Sequence, residues 1–302
     1  MLPRACSGKL MEQAREWQVV DLLKTTEAFF SSKGVDEARI GAELLLSQVL
    51  GLKRIELYLN YQRPVFPDEL ERFRGLCRQR LEGRPLQYIA GEQIFYGLQF
   101  HVDGRVLIPR PETELLVEHA LGFLEKEENA RVMDIGTGSG CIAVTMALRN
   151  PSLVVDALDC STDALAVALS NAEAHKVQDR VGFHQADMFS DSFSVPFSAG
   201  SYGLIVSNPP YIPDAEWDHL QREVREYEPR LALTTPTGME CYRAIATHAV
   251  KLLKPEGVLC VEVHADGAEA VSAIMASAGF SSISVMQDYS RLDRMISGRY
   301  LP

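Results

Sequence analysis

The sequence predicts an α/β fold in which a parallel sheet is covered by helices on both faces and follows a small helical region. From about Trp17 to Leu81 the apolar residues recur at every third or fourth position, which is the spacing of helices. After Ala130, short β-branched runs alternate with helical stretches, a pattern typical of parallel sheets. A glycine-rich turn follows the first of these runs, as it does where such sheets bind nucleotide-like cofactors.

The first region, residues 1–84, is predicted to be a bundle of four or five helices. Turn-forming residues interrupt the helical spacing at residues 31–34, at Gly51 and at residues 64–67. This region contains 14 basic and 12 acidic residues, whereas the rest of the chain contains 16 basic and 29 acidic residues. A macromolecular partner is therefore expected to contact the first region.

The second region, residues 85–108, is predicted to be a β-hairpin linker. Apolar and polar residues alternate between Ile94 and Val102, and the dipeptide Asp103-Gly104, a common hairpin turn, follows. The third region, residues 109–302, is expected to begin with a helix. Prolines lie at the start of this helix, and acidic residues in its first turn stabilise it.

Seven strands are predicted in the third region. They lie at residues 131–135, 153–158, 181–184, 204–206, 258–263, 282–286 and 294–300. Because helical stretches separate most of them, the strands are expected to pair in parallel. In sheets of this kind, ligands bind beyond the carboxyl ends of the strands.

Composition excludes several classes of protein. A chain of 302 residues with 46% hydrophobic content can bury a large core, and its apolar stretches are too short to cross a bilayer. Arg4 and Lys9 stand where a secretory signal would be apolar, so a cytoplasmic protein with no membrane contact is expected. The net charge of −11 argues against affinity based on nucleic-acid phosphates.

The cysteines do not form a recognisable metal or disulfide pattern. The six residues are scattered, with no C-x-x-C pair and no short Cys/His spacing suited to zinc, so no metal is predicted. They are interpreted as reduced thiols, and Cys141 and Cys160 are expected to be small buried side chains. Cys6, Cys77, Cys241 and Cys260 complete the set.

The glycine-rich turn predicts a cofactor site. The spacing G-x-G-x-G at Gly136, Gly138 and Gly140 differs from the dinucleotide pattern G-x-G-x-x-G, and no Gly-Lys-Ser/Thr of a P-loop follows. Asp134, two residues ahead of the turn, suits a cofactor with an α-amino group and would repel a pyrophosphate. A nucleotide-like cofactor that bears an amino group is therefore indicated.

Acidic residues after the next two strands complete this predicted site. Asp159 ends the second strand about 20 residues past the glycine turn, where a carboxylate can bind both ribose hydroxyls. Asp187 and Met188 follow the third strand, at a position suited to the edge and face of an adenine ring.

The tetrapeptide Asn208-Pro209-Pro210-Tyr211 follows the fourth strand and predicts methyl transfer to a planar nitrogen. Such a nitrogen is a poor nucleophile until it is oriented, and the Asn208 side-chain oxygen and the Pro209 carbonyl oxygen can each accept one of its N–H groups. Tyr211 offers a flat face for the planar group and for a methyl sulfonium. Asn208, Pro209 and Tyr211 are therefore the predicted catalytic residues.

Taken together, these motifs resemble those of the protein-(glutamine-N5) methyltransferases of peptide chain release factors, the PrmC/HemK family. The resemblance covers nearly the whole chain. The matching segments are residues 85–91, 95–97, 108–114, 208–211 and 227–229, together with Arg294. Asn-Pro-Pro-Tyr is shared with DNA and RNA amine methyltransferases, whereas Arg110-Pro111-Glu112-Thr113-Glu114 is more particular to this family.

The resemblance implies a Rossmann-like, seven-stranded class I methyltransferase domain that uses S-adenosylmethionine. The implied substrate is the glutamine of the Gly-Gly-Gln motif in class I release factors, held by Asn208, Pro209, Pro210 and Tyr211. The implied cofactor-binding residues are Gly136, Thr137, Gly138, Ser139, Gly140, Asp159, Met188 and Asn208. The helical region would help to bind the factor, and a monomer is expected. A further hypothesis is that residues 110–114 close over the cofactor.

Two other interpretations remain open from the sequence. A nucleic-acid amine methyltransferase would use the same nitrogen chemistry, but it predicts a basic groove that the acidic third region does not suggest. A protein that only senses the cofactor would have no need of Asn208.

Overall fold

The computed structural model describes residues 16–125, 127 and 129–302. Arg4, Cys6 and Lys9, on which parts of the sequence interpretation rest, lie outside the described residues. The chain divides into two compact units, Met1–Ala90 and Gly91–Pro302. The predicted boundaries after residues 84 and 108 remain predictions, and the hairpin region falls within the second unit.

The first unit is a helical bundle closed by a short antiparallel strand pair. Its described elements are β1 (Trp17–Gln18), α1 (Val19–Ser32), α2 (Ala38–Leu50), α3 (Arg54–Leu59), β2 (Pro64–Val65), α4 (Pro67–Leu81) and α5 (Leu86–Ala90). Gly51 ends α2 in the left-handed conformation, and Pro67 occupies the first turn of α4, where its missing N–H is harmless. The helical spacing is thus confirmed, whereas the pairing of β1 with β2 was not predicted.

The second unit begins with a β-hairpin and continues as an α/β domain. Its first elements are β3 (Glu92–Phe95), β4 (Leu98–His101), α6 (Pro111–Gly122), β5 (Arg131–Ile135), α7 (Cys141–Arg149), β6 (Val154–Asp159), α8 (Thr162–Ala174), β7 (Val181–Gln185) and β8 (Tyr202–Ser207). They are followed by β9 (Ile212–Pro213), a 3₁₀ helix (Asp214–His219), α9 (Arg222–Tyr227), a second 3₁₀ helix (Arg230–Ala232), β10 (Thr234–Thr235), α10 (Glu240–Leu252), β11 (Leu253–Glu262), α11 (Ala268–Ala278), β12 (Phe280–Gln287) and β13 (Asp293–Tyr300).

The hairpin turns at a different place from the one predicted. Strands β3 and β4 pair with Phe95 opposite Leu98, so the two-residue turn is Tyr96-Gly97. Both turn residues have left-handed backbone angles, φ +53° and +73°, as a type I′ turn requires. The prediction of a turn at Asp103-Gly104 is therefore wrong. Residues 86–90 are helical, and only the stretch after Gly91 is extended.

Among the described residues, seven strands form the main sheet in the order β12-β13-β11-β8-β5-β6-β7. Every predicted strand is present. The predicted parallel sheet is confirmed for most strands; β13 departs from it, because it pairs antiparallel to both β11 and β12. Only residues 288–292 connect β12 to β13, and so short a connection cannot carry the chain back to the other end of the sheet.

Helices cover both faces of this sheet, as alternate side chains on its strands show. Leu204 and Val206 of β8 belong to a core with Val117 of α6 and Val144 of α7. The side chain between them, Ile205, belongs to a second core that also contains residues of α10 and α11. This alternation follows from the two-residue period of a strand. With both faces covered, the carboxyl ends of the strands are the place where a ligand is expected.

The described cysteines are free thiols, and their burial differs from the expectation at one position. Cys141, Cys241 and Cys260 are buried, and Cys77 is partly buried. Cys160 is exposed, because it directly follows the last residue of β6 where the chain leaves the sheet. None of the helices formed by the described residues has the length and apolar character needed to cross a membrane.

Candidate active site

The predicted motifs meet at the carboxyl edge of four neighbouring strands. In the order β11-β8-β5-β6, Asp134 of β5 lies opposite Val206 of β8, and Val206 lies opposite Cys260 of β11. Ser207 Oγ donates a hydrogen bond of 2.6 Å to the carbonyl oxygen of Ile135, which joins the ends of β8 and β5 directly. The glycine turn and the Asn208 turn therefore leave the sheet side by side.

The glycine turn wraps over the end of β6. The backbone N–H groups of Gly136 and Thr137 both donate to the carbonyl oxygen of Leu158, at 2.8 and 2.9 Å. Gly136, Gly138 and Gly140 have φ angles of +76°, +54° and +78°, which favour glycine. A Cβ at Gly136 or Gly138 would meet nothing within 4 Å, so open space lies over this part of the turn.

The side chain of Asp134 stabilises the glycine turn through hydrogen bonds. Its side chain is inaccessible to solvent, and its Oδ2 accepts hydrogen bonds from Thr137 Oγ1 at 2.7 Å and from the backbone N–H of Ala143 at 3.3 Å. Oδ1 is buried without a partner among the described residues. Burial raises the pKa of Asp134 to about 7. A direct contact with an α-amino group remains a prediction, because Oδ1 is covered here.

Asp159 and the residues after β7 lie on the other side of the turn. Asp159 accepts from the N–H of Gly138 at 3.0 Å and from that of Ser161 at 2.9 Å. The N–H of Ala186 donates to the carbonyl oxygen of Asp159, which places Asp187 and Met188 beside it. Asp187 is exposed, whereas Met188 is partly buried and its carbonyl oxygen accepts a hydrogen bond from His248 Nε2.

The Asn-Pro-Pro-Tyr turn borders a cavity of about 240 Å³. Asn208, Pro209 and Tyr211 line it, and apolar side chains form much of the remaining wall. Pro210 is not among the lining residues, so its predicted contact with substrate remains a prediction. The carbonyl oxygen of Pro209 accepts no hydrogen bond from the described residues, which leaves it available as an acceptor.

A chain of hydrogen bonds holds the Asn208 side chain. Asn208 Nδ2 donates to Thr113 Oγ1 at 3.0 Å, and Thr113 Oγ1 donates to Glu262 Oε2 at 2.7 Å. Tyr211 OH donates to the other oxygen of Glu262 at 3.3 Å. Two residues of the tetrapeptide are therefore fixed by a carboxylate outside it.

Comparison with known proteins places these features in one family. Residues 21–91 match the PrmC N-terminal domain, and residues 111–225 match the methyltransferase small domain. A release factor glutamine methyltransferase of Chlorobaculum tepidum is 56% identical over 95% of this chain and 99% of its own length. The chain belongs to the release factor glutamine methyltransferase family.

Less similar proteins of the same description are a curated relative and a solved structure. The release factor glutamine methyltransferase of Geobacter sulfurreducens is 42% identical over 96% of this chain and 99% of its own length. A solved protein-(glutamine-N5) methyltransferase, release factor-specific, from Alicyclobacillus acidocaldarius is 31% identical. The similarity extends over 67% of this chain and 100% of that structure, with a TM-score of 0.39.

The geometry around the glycine turn fits S-adenosylmethionine, the methyl donor of this methyltransferase family. The open space above Gly136 and Gly138 can take a ligand close to the backbone. Asp159 lies at the end of the next strand with its carboxylate only partly buried, as a group that binds ribose hydroxyls must. When bound, this cofactor supplies an electrophilic methyl group on a positively charged sulfur.

We expect Asp159→Ala to weaken cofactor binding by about 10- to 100-fold, because a hydrogen bond to a charged acceptor contributes about 1.5–3 kcal/mol. Isothermal titration with S-adenosylhomocysteine measures the effect. Asp163→Ala, an exposed carboxylate in the first turn of α8, is the matched control and should leave the affinity unchanged. Equal affinities for the two variants would exclude Asp159 from the cofactor site.

Glu262 is a site residue that the sequence interpretation missed. It is 1% exposed and is the last residue of β11, an otherwise apolar strand at its buried end. A carboxylate at the carboxyl end of such a strand is the signal that points to it, because a buried charge needs specific partners. Burial raises the pKa of Glu262 to about 7.

Glu228 anchors the segment that precedes α6. Its Oε1 accepts from Arg110 Nη2 at 2.5 Å, and its Oε2 accepts from the backbone N–H of Ile108 at 3.1 Å. Together with the bond from Thr113 to Glu262, this attaches residues 110–114 beside Asn208. The hypothesis that they close over the cofactor remains untested. In the part of the chain that the structure describes, no group of three or more His, Cys, Asp or Glu side chains is arranged to hold a metal.

Proposed function

We propose that this chain transfers the methyl group of S-adenosylmethionine to the side-chain amide nitrogen of the glutamine in the Gly-Gly-Gln motif of class I release factors. The observation that carries the proposal is the position of Asn208: it lines a cavity, and it leaves the sheet beside the glycine turn with its side-chain Nδ2 bound to Thr113. No described residue donates a hydrogen bond to this oxygen, so it is available to a substrate.

The substrate amide would be oriented by two acceptors. Asn208 Oδ1 and the Pro209 carbonyl oxygen each accept one N–H of the glutamine amide, which restrains rotation of its NH2 group. Tyr211 provides a flat side chain along the planar amide. The nitrogen lone pair is then directed at the methyl group, so the main contribution of the protein is orientation.

The transfer forms a bond between nitrogen and carbon and breaks the bond between carbon and sulfur. The nitrogen then carries a positive charge and loses one proton, which can pass to water. A strong base is not required, because an amide nitrogen that has gained a methyl group is very acidic. His264, the histidine whose ring lies 6.1 Å from that of Tyr211, is not needed as a base.

We further propose the roles of individual residues. The cofactor would be held by Asp134, Gly136, Thr137, Gly138, Ser139, Gly140, Asp159, Asp187, Met188 and Asn208. The glutamine would be held by Asn208, Pro209, Pro210 and Tyr211, and the helical first unit would bind another part of the factor. The near-neutral charge of residues 1–84, compared with the acidic remainder, supports this division of labour.

We also propose that the chain acts in the cytosol as a monomer and does not bind nucleic acid. One chain carries both the glycine turn and the Asn208 turn. A net charge of −11 is unfavourable for phosphate binding. Light scattering at assay concentration tests the monomer directly, and a dimer mass would contradict it.

The test of the function is incubation with methyl-labelled S-adenosylmethionine and a purified release factor, followed by mass mapping. We expect a single added methyl group on the Gly-Gly-Gln glutamine. A factor with this glutamine changed to asparagine, which is one methylene shorter, should take up no label. Incorporation into RNA or DNA in place of the factor would show that the substrate is a nucleobase amine.

A further inference from the structure

We propose that Thr113 and Glu262 are positioning residues that determine which end of the Asn208 side-chain amide faces the substrate. This inference rests on the proposed function, because it concerns the orientation of the group that binds the glutamine. Neither residue lines the cavity, and they are 2% and 1% exposed, so they act through Asn208 and not on the substrate.

The orientation follows from counting protons along the hydrogen-bond chain. Above its raised pKa of about 7, Glu262 is ionised and only accepts hydrogen bonds, so the single proton of the Thr113 hydroxyl must then point at it. Thr113 Oγ1 then has only lone pairs to offer to Asn208. The atom of Asn208 that lies 3.0 Å away must therefore be the donor Nδ2, which leaves Oδ1 for the cavity.

The reverse orientation would be unproductive. If the side-chain amide of Asn208 turned by half a rotation, its NH2 group would face the NH2 group of the substrate. Two donors would then meet, and the substrate nitrogen would lose one of its two acceptors. A carboxylate is needed at the far end of the chain because it is the group that cannot donate.

Three different parts of the fold bring these residues together. Thr113 lies in the first turn of α6, Glu262 ends β11, and Asn208 follows β8, the strand that pairs with β11 in parallel. Tyr211 contributes the second donor to Glu262, and Tyr242 OH donates to the Glu262 backbone carbonyl at 2.9 Å. The charged groups that act on Glu262 are Glu112 of α6, which opposes its ionisation, and Arg294 of β13, which favours it.

The first experiment compares Thr113→Val with Thr113→Ser in the full chain. Valine keeps the shape but removes the hydroxyl, so kcat for glutamine methylation should fall about 10- to 100-fold, as loss of a buried hydrogen bond implies. KM for the release factor and the affinity for S-adenosylhomocysteine should change by less than about 3-fold, because neither ligand contacts Thr113. Serine keeps the hydroxyl and should restore most of kcat.

Thr145→Val is the matched control for Thr113→Val. Thr145 is a fully buried threonine of α7 whose hydroxyl has no partner among the described residues. The same change there should leave kcat at the wild-type value. If Thr113→Val also keeps wild-type kcat, the proposal is overturned.

A double-mutant cycle separates an action through Asn208 from an independent effect. In the Asn208→Ala background, Thr113→Val should produce no further loss of kcat, because there is no longer an amide to orient. If the two losses multiply, Thr113 does not act through Asn208 and the proposal is overturned.

Glu262→Gln provides a test that does not depend on the folding of the threonine variants. A glutamine gives both hydroxyl protons an acceptor only when its oxygen accepts from Tyr211 and its NH2 donates to Thr113, which then directs its proton at Asn208 Oδ1. In the other placement the NH2 would donate to the Tyr211 oxygen, and the Tyr211 proton would lose the acceptor that it has in the structure. This arrangement reverses Asn208, so kcat should fall about 10-fold.

Stability should move in the opposite direction in this variant. The pKa of Glu262 in the folded protein lies above its ordinary value of 4.5, so at pH 8 the buried charge destabilises the folded state. Glutamine removes that charge, and Tm at pH 8 should stay equal or rise. A lower kcat together with an equal or higher Tm supports the proposal that Glu262 orients the Asn208 amide, whereas an unchanged kcat overturns that proposal.

These outcomes are distinct from failure of the proposed function. If the wild-type chain transfers no methyl group to the release factor glutamine, the function itself is wrong. If it does so and the Thr113 and Glu262 variants match it in kcat, only the positioning role is wrong.

Discussion

Asn208→Ala lowers kcat for glutamine methylation by about 100- to 1,000-fold, which is the loss typical when one preorganised hydrogen-bonding group is removed from an active site. Alanine removes the acceptor that fixes one N–H of the substrate amide, so its nitrogen is no longer held toward the methyl group. Affinity for S-adenosylhomocysteine falls much less, because most of the proposed cofactor contacts lie on the glycine turn and at Asp159. Single-turnover kinetics and calorimetry measure the two quantities.

Asn150→Ala is the matched control for this prediction. Asn150 follows α7 and precedes β6, at the amino end of a strand, and its Oδ1 accepts from Ser152 in a local turn. The same change at this opposite edge of the sheet should leave kcat unaltered. Asn208→Ala with wild-type kcat would show that the Asn208 side chain takes no part in the chemistry, and the proposed orientation of the substrate amide would then be wrong.

Gly140→Ala destabilises the second unit by about 2–5 kcal/mol. The left-handed φ of +78° disfavours any L side chain by roughly 1–2 kcal/mol. The added Cβ would also lie 3.0 Å from Ala168 Cβ and 3.2 Å from Ala168 Cα in α8, and overpacking of this kind contributes about 1–3 kcal/mol. Backbone cannot yield as a flexible side chain can, so α7 and α8 must separate.

Chemical denaturation measures this loss, and Gly200→Ala is its control. Gly200 has a similar φ of +63°, but a Cβ there would meet nothing within 4 Å. Its substitution should therefore show the backbone strain alone, about 1–2 kcal/mol. A loss no greater at Gly140 than at Gly200 would show that the approach of α8 does not constrain the glycine turn. Cofactor affinity should fall only in the Gly140 variant, because Gly140 precedes the first turn of α7.

Local patterns predicted most of the strands because each strand carries its own signal. Strand β5 was placed at residues 131–135, as the structure has it, since its apolar run ends abruptly in glycines. The hairpin shows the limit of such signals. Asp103-Gly104 is a good turn sequence, but Tyr96-Gly97 forms the turn, because the pairing of Phe95 with Leu98 requires it.

The direction of β13 was also beyond a strand-by-strand interpretation. The run was recognised, but its orientation depends on the five residues that connect it to β12 and on the space left beside β11. A rule that assigns helices and parallel strands in alternation fails where the intervening helix is missing.

The sequence by itself determined the α/β fold, the glycine turn, the Asn-Pro-Pro-Tyr turn and the family, because each depends on residues that are close in the chain. Only the tertiary structure decided how Asn208 is oriented. Thr113 is 95 residues from Asn208 and 149 residues from Glu262, and no local pattern connects them. Their meeting depends on the pairing of β8 with β11 and on the packing of α6 against the sheet. The direction in which the hydroxyl proton of Thr113 points therefore depends on the folded chain and not on a local sequence pattern.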